Sequence, residues 1–181
     1  MATNDSSRIL EIDPLALSAR QKEILEQLTR GRGRILTPYK VWIHSPDLAE
    51  PMEKMGTYLN KKSSLRPLEV ELAILIVAFH WKSDYVIQAH IRHGQREGLT
   101  EAIIEALKSG RRPTFEDDRT QAVHDFAAAA VASEVPSDSD FERYERVLGR
   151  QGIAEVLLLI GYYTSVALAM KMHKVAPATG A

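Results

Sequence analysis

The sequence predicts an all-α fold, a compact multi-helix bundle, and three observations carry that reading. Helix-start signals recur along the chain, each an N-cap position followed by proline at the first helical position: Asp13-Pro14, Ser45-Pro46 and Arg66-Pro67. Glycines and prolines punctuate the chain at helix-sized intervals, and no run shows the sustained apolar–polar alternation of a strand. The 181 residues, 45% of them hydrophobic, suit one globular domain and are too apolar for disorder.

Residues 1 to 12 read as a flexible N-terminal arm, and 13 to 181 as a single domain. Asp13-Pro14 predicts a first helix to about Arg30, stopped at Gly31, where the basic segment RGRGR forms a loop. Ser45-Pro46 opens the next helix. Pro51 divides it, so its first turn is expected as a separate piece before the main helix to about Lys61. Arg66-Pro67 opens a helix to about Trp81, with Glu69 and Glu71 near its positive end. Ser83 or Asp84 caps a helix ending at Gly98, and Thr100 caps another ending at Gly110. A helix follows over Asp117 to Ser133, broken by Pro136. Ser137 or Ser139 starts the next, ending near Gly149, and the last covers about Ile153 to Val175.

Composition excludes several functions. There is no cysteine, hence no disulfide, no thiol catalysis and no cysteine-ligated metal, a usage that fits a cytoplasmic protein. The net charge of −1 steers the molecule toward neither nucleic acid nor anionic lipid, and the single RGRGR patch does not change that balance. The N-terminus lacks a basic region followed by an apolar run, so no signal peptide is expected. The apolar stretch Val156 to Met170 is shorter than the ~20 residues that span a bilayer and reads as a buried helix.

The chemistry concentrates between Arg66 and Leu99. Glu71 lies on an otherwise apolar helix, where a carboxylate needs a partner. His90 lies on the next helix and can act as general acid or base with Glu71 orienting its ring. His80, nine residues after Glu71, is about half a turn out of phase with it, but at the helix end it can turn toward the next helix. Trp81, Tyr85, Tyr39 and Trp42 are candidates to line a pocket, and Arg66, Arg92 and Arg111-Arg112 to hold a substrate carboxylate. His90, His93 and Glu97 form a stripe of the kind that can ligate a metal, yet most such trios are solvated, and no metal and no cofactor are expected.

The segments VWIHSPDLAEPMEKMGTYL, LRPLEVELAILIVAFHWKSDYVIQAHIRHGQREGLTEAIIEAL and GYYTSVALAMKMHKV resemble the carboxymuconolactone decarboxylase superfamily, which includes the alkyl hydroperoxidase D (AhpD) proteins. The likeness runs from about Tyr39 to Val175. It implies an all-α fold that assembles into homotrimers or homohexamers. In the peroxidase branch a glutamate is followed by two cysteines and a histidine. Laid on this chain, that pattern places the acid at Glu71, the imidazole at His90, and the two thiols at Ser83 and Val86. Neither of the latter can attack a peroxide. The decarboxylase branch matches at His90 but carries a glutamate where this chain has Val86.

The resemblance therefore implies a cofactor-free lyase acting on a small, cyclic carboxylate or lactone. Glu71, His90 and His80 are the catalytic candidates, and Tyr85, Trp81 and Arg66 the substrate-binding ones. The alternatives are an AhpD-like protein that has lost its thiol chemistry and a non-enzymatic helical binding protein.

Overall fold

The computed structural model describes residues 7–30 and 34–177. Among them the regular structure is entirely helical. The helices are α1 (Ala19–Thr29), α2 (Thr37–Trp42), α3 (Pro46–Lys61), α4 (Pro67–Trp81), α5 (Asp84–Arg96), α6 (Glu101–Lys108), α7 (Asp118–Ala132) and α8 (Asp138–Met172). The middle of the RGRGR loop and the first six residues of the arm lie outside the described residues.

Helix α4 is the hub. Val70, Leu72, Ala73, Ile74, Leu75, Val77 and Ala78 are all buried on it. A helix apolar on nearly every side must be enclosed by neighbours, and α5, α7 and α8 pack around this one. Its outer side meets a second apolar cluster in which Leu72 and Leu75 touch Leu99, Ile104 and Leu107.

Several boundaries differ from the expected ones. The first helix starts at Ala19, not at Pro14. Ser18 and Gln21 form a reciprocal capping box, with Ser18 Oγ accepting from the Gln21 amide and Gln21 Oε1 from the Ser18 amide. Two satisfied donors at that point fix the start, while Asp13-Pro14 makes only a turn closed by Leu15 N–H to Asp13 Oδ1 (2.9 Å). Helix α2 is six residues long, too short to show a period in the sequence. Helix α3 continues through Pro51, its burial of Ala49, Gly56 and Leu59 outweighing one lost backbone bond. The last two expected helices meet directly at Gly149, whose φ of 69° turns the chain without a loop inside α8.

Helix α8 is long and apolar enough to cross a membrane by length and composition, but 56% of its most apolar window is buried inside the fold. It packs on α4 and α7, as a core helix does. From Arg8 onward the arm is attached: its amide donates to His173 O (2.8 Å), and Ile9 and Ile12 pack on the main cluster.

Two buried carboxylates tie the helices together. Glu69, fully buried, accepts from the Arg66 amide (2.8 Å), Arg66 Nε (2.7 Å) and Arg119 Nε (3.1 Å). Arg119 also reaches Ser64 O and Val147 O, so one guanidinium links α7, the approach to α4, and α8. Glu155 on α8 accepts from Tyr58 Oη (2.7 Å), Ser64 Oγ (2.6 Å) and the Ser64 amide (2.8 Å).

A third acid, Asp125, takes Arg112 in a two-pronged bond (2.9 and 2.8 Å), Gln121 Nε2 (3.0 Å) and His124 Nδ1 (2.9 Å). Burial alone would raise its pKa, but the hydrogen bonds from Arg112, His124 and Gln121 outweigh it and hold the carboxyl at about 2. A depressed folded-state pKa stabilises the fold above the ordinary carboxylate value of 3.8 and ceases to do so as pH falls toward 2. The stability gap between wild type and Asp125→Asn is therefore expected to be full at neutral pH and to close across that window. Urea unfolding at a series of pH values measures it, and a gap independent of pH would refute the assignment.

Candidate functional site

Glu71 and His90 meet. Glu71 projects from the second turn of α4, where the turn-mate Glu69 takes the opposite side into the arginine network. His90 Nδ1 stands 2.7 Å from Glu71 Oε2, and the two side chains keep only 14% and 12% of their exposure. A carboxylate accepts only, so Nδ1 carries the proton in this bond, and in the neutral ring Nε2 is left with the lone pair.

Gly94, one turn past His90 on α5, lies under the Leu99 side chain and beside Glu71. A Cβ built there would stand 2.7 Å from Leu99 Cδ1 and 3.6 Å from Glu71 Cβ. Glycine at this position leaves room for Leu99, while the distance to the acid's Cβ is an ordinary contact.

The ring of His90 is held from a third helix. Tyr163 on α8 meets it edge-on, with centroids 5.2 Å apart and planes at 87°. The Tyr163 hydroxyl donates to Asn60 Oδ1 (2.9 Å) on α3. Burial pushes the Tyr163 phenol well above its usual pKa, so it remains a neutral donor. Beyond it, Tyr162 packs against Tyr163 and Trp42, and its hydroxyl lies 3.4 Å from that of Tyr39.

His93, one turn along α5, brings Nδ1 to 3.9 Å from Glu71 Oε1 and stacks edge-on against His90 at 5.4 Å. Its pKa is lowered, first by desolvation and then by His90, Arg96 and Arg92, against the pull of Glu71. The trio assembled here is thus Glu71, His90 and His93. Glu97, expected in the metal-type stripe, is instead the C-cap residue of α5.

The other candidates lie elsewhere. His80 is exposed at the far end of α4, and nine residues of helix set it about 13 Å along the axis from Glu71. It lines a separate open cleft of about 850 Å³ that also includes Arg112, His124 and Arg143. Trp81 and Tyr85 pack against the main apolar cluster, with Trp81 Nε1 donating to Thr164 Oγ1 (3.2 Å). Arg66 is committed to Glu69, Asp117 and Thr120, which leaves its guanidinium a structural role at the start of α4. Ser83 sits at the N-cap of α5 but makes no capping bond, and its hydroxyl is buried without a hydrogen-bond partner.

Sequence reasoning did not anticipate Gly94, Asn60 or Tyr163. The only signal for Gly94 was a glycine inside an amphipathic helix. Tyr163 lay in an apolar run that gave no reason to pick one aromatic over another.

Valine at Gly94 would press its Cβ on Leu99 and carry its methyls toward Glu71. The expected result is a loss of about 1–3 kcal/mol in urea unfolding together with altered ¹⁵N shifts of the His90 imidazole, which report its tautomer. A Gly94→Val protein with wild-type stability and unchanged shifts would show that the packing at Gly94 does not set the pair.

No protein-family model matches the chain, and no curated protein matches it in sequence. Solved structures do match. An uncharacterized peroxidase-related protein from Silicibacter sp. TM1040 superposes with a TM-score of 0.75 at 17% identity, covering 99% of this chain and 95% of that one. The alkylhydroperoxidase AhpD core of an uncharacterized peroxidase-related protein from Ralstonia eutropha JMP134 gives a TM-score of 0.74 at 16% identity over 95% and 92%. A cysteine-to-alanine variant of the debrominase Bmp8 in complex with 2,3,4-tribromopyrrole gives 0.65 at 13% identity over 96% and 91%. The helical architecture and these superpositions agree that the chain has the AhpD-like fold.

Proposed function

We propose that the protein is a cofactor-free proton-transfer enzyme of the carboxymuconolactone decarboxylase type, acting on a small cyclic carboxylate or lactone. The observation that carries the reading is the mostly buried 2.7 Å contact between Glu71 and His90. A desolvated carboxylate that fixes an imidazole tautomer is the standard means of making a histidine an effective base and acid. The complex of Bmp8 with a small ring compound is compatible with a ring-sized ligand in this fold.

In the decarboxylation, the bond from ring carbon to carboxylate breaks and CO₂ leaves. The electron pair passes into the unsaturated lactone as a dienolate, and a proton from His90 Nε2 returns to carbon. Glu71 stabilises the imidazolium before and during that transfer. His90 then regains its proton from water.

The reading also carries a cytoplasmic, self-associating protein. Leu157 and Leu158 on α8 are 47% and 54% exposed, and a Cβ on the neighbouring Gly161 would meet nothing within 4 Å. An open apolar helix face of this kind suits contact with further copies of the chain. Sedimentation is expected to show a trimer or hexamer that Leu158→Glu dissociates. A wild-type monomer at working concentration would contradict the assembly.

Thiol-dependent peroxide reduction is disfavoured because the chain has no cysteine. The decisive experiment incubates the protein with a panel of unsaturated lactone carboxylates in D₂O, in the presence of a chelator. Release of CO₂ with deuterium at the ring carbon is expected, and Glu71→Gln and His90→Asn should each lower the rate by about 10²–10⁴-fold. Equal rates in those variants, or appreciable hydroperoxide turnover with a thiol reductant, would overturn the proposal.

A further inference from the structure

We propose that Glu71, His90 and His93 together form a binding site for one divalent transition-metal ion of the zinc type. The three side chains each offer one ligand atom, and these atoms all lie within 4.8 Å of one another. The donor set is two imidazoles and one carboxylate, the combination found in three-ligand zinc sites that leave a fourth position open.

The spacing fits after a side-chain adjustment. Ligand atoms about 2.0–2.1 Å from a tetrahedral zinc stand about 3.3 Å apart. Here His90 Nδ1 stands 2.7 Å from Glu71 Oε2 and His93 Nδ1 3.9 Å from the other oxygen, Oε1, with the three ligand atoms within 4.8 Å, so the carboxylate must turn and the widest separation close by up to about 1.5 Å. Both histidines come from adjacent turns of α5, and the acid comes from α4. The 2.7 Å bond to Glu71 and the edge of Tyr163 hold the His90 ring, so two of the three ligands are already oriented. His93 keeps 49% of its side-chain exposure and gives the ion a way in and an open coordination position. The exposed Arg92 and Arg96 on the same helix oppose a dication, so affinity must come from the ligand atoms themselves.

This inference uses two side chains of the proposed proton-transfer pair but does not require that reading to hold. A metal would replace the proton between Glu71 and His90 Nδ1, so a metal-loaded molecule and a proton-transferring one exclude each other. Zinc becomes an occupant that silences the pair.

The test uses tag-free, metal-stripped full-length protein without substrate. Equilibrium dialysis against Zn²⁺ followed by elemental analysis should find one equivalent per chain. Co²⁺ should give the intense visible bands of a four-coordinate site. His93→Ala should weaken Zn²⁺ binding by at least the roughly 10–100-fold that loss of an outer-shell partner costs, and Glu71→Gln should do the same with its circular dichroism unchanged. No stoichiometric binding, or affinity equal to wild type in both variants, would overturn the site. Failure of the lactone assay under chelator leaves this result untouched, and failure here leaves the lactone assay untouched, so the two readings fall separately.

Discussion

Two glutamates on one turn of α4 divide the work of the molecule. Glu69 is fully buried among Arg66, Arg119 and the backbone of Arg66. Removing both guanidinium partners would strand a charge in the interior, at a cost of about 3–5 kcal/mol. That constraint sets the rotation of α4 about its own axis. Glu71, two residues on, is then carried to the other side and faces α5. The fold's ion network and the site's acid are thus coupled by helix geometry: the first fixes which way the second points.

The remaining parts of the site follow from that orientation. Gly94 leaves room for Leu99 beside Glu71, and His90 reaches the carboxylate at hydrogen-bond distance. Tyr163 and Asn60 bring α8 and α3 into the same arrangement. Two other helices touch the imidazole, α4 through the Glu71 carboxylate and α8 through the uncharged Tyr163 ring, which Asn60 on α3 holds in turn. Such a ring has little freedom to reorient, which is what a proton-transfer group or a metal ligand requires.

The helical class and the start of α4 at Pro67 were legible from local signatures such as a proline at a helix start, whereas a carboxylate in an apolar run only asked for a partner, and the resemblance to the carboxymuconolactone decarboxylase superfamily pointed to His90. The capping box at Ser18 and Gln21 is also local, but it was obscured by the stronger-looking Asp13-Pro14 a few residues earlier. Arg66 read as a candidate substrate clamp because its partners Asp117 and Thr120 lie some fifty positions away in sequence. His80 was expected near the site through a turn at the helix end, but α4 stays regular to Trp81 and keeps it on the far side. Tyr163 and Asn60 were beyond reach for the same reason as Asp117: long-range packing, not periodicity, selects them.

The Ser83 hydroxyl, buried without a partner at the mouth of α5, and that of Ser165 on α8 place a standing debit on the fold. An unsatisfied buried hydroxyl costs about 1–3 kcal/mol, a sizeable share of the 5–15 kcal/mol by which a domain of this kind is stable. The protein therefore holds a reserve of thermal tolerance that alanine at either position would release without touching Glu71 or His90. Among the described residues these are the two buried side-chain oxygens with no hydrogen-bond partner in the fold.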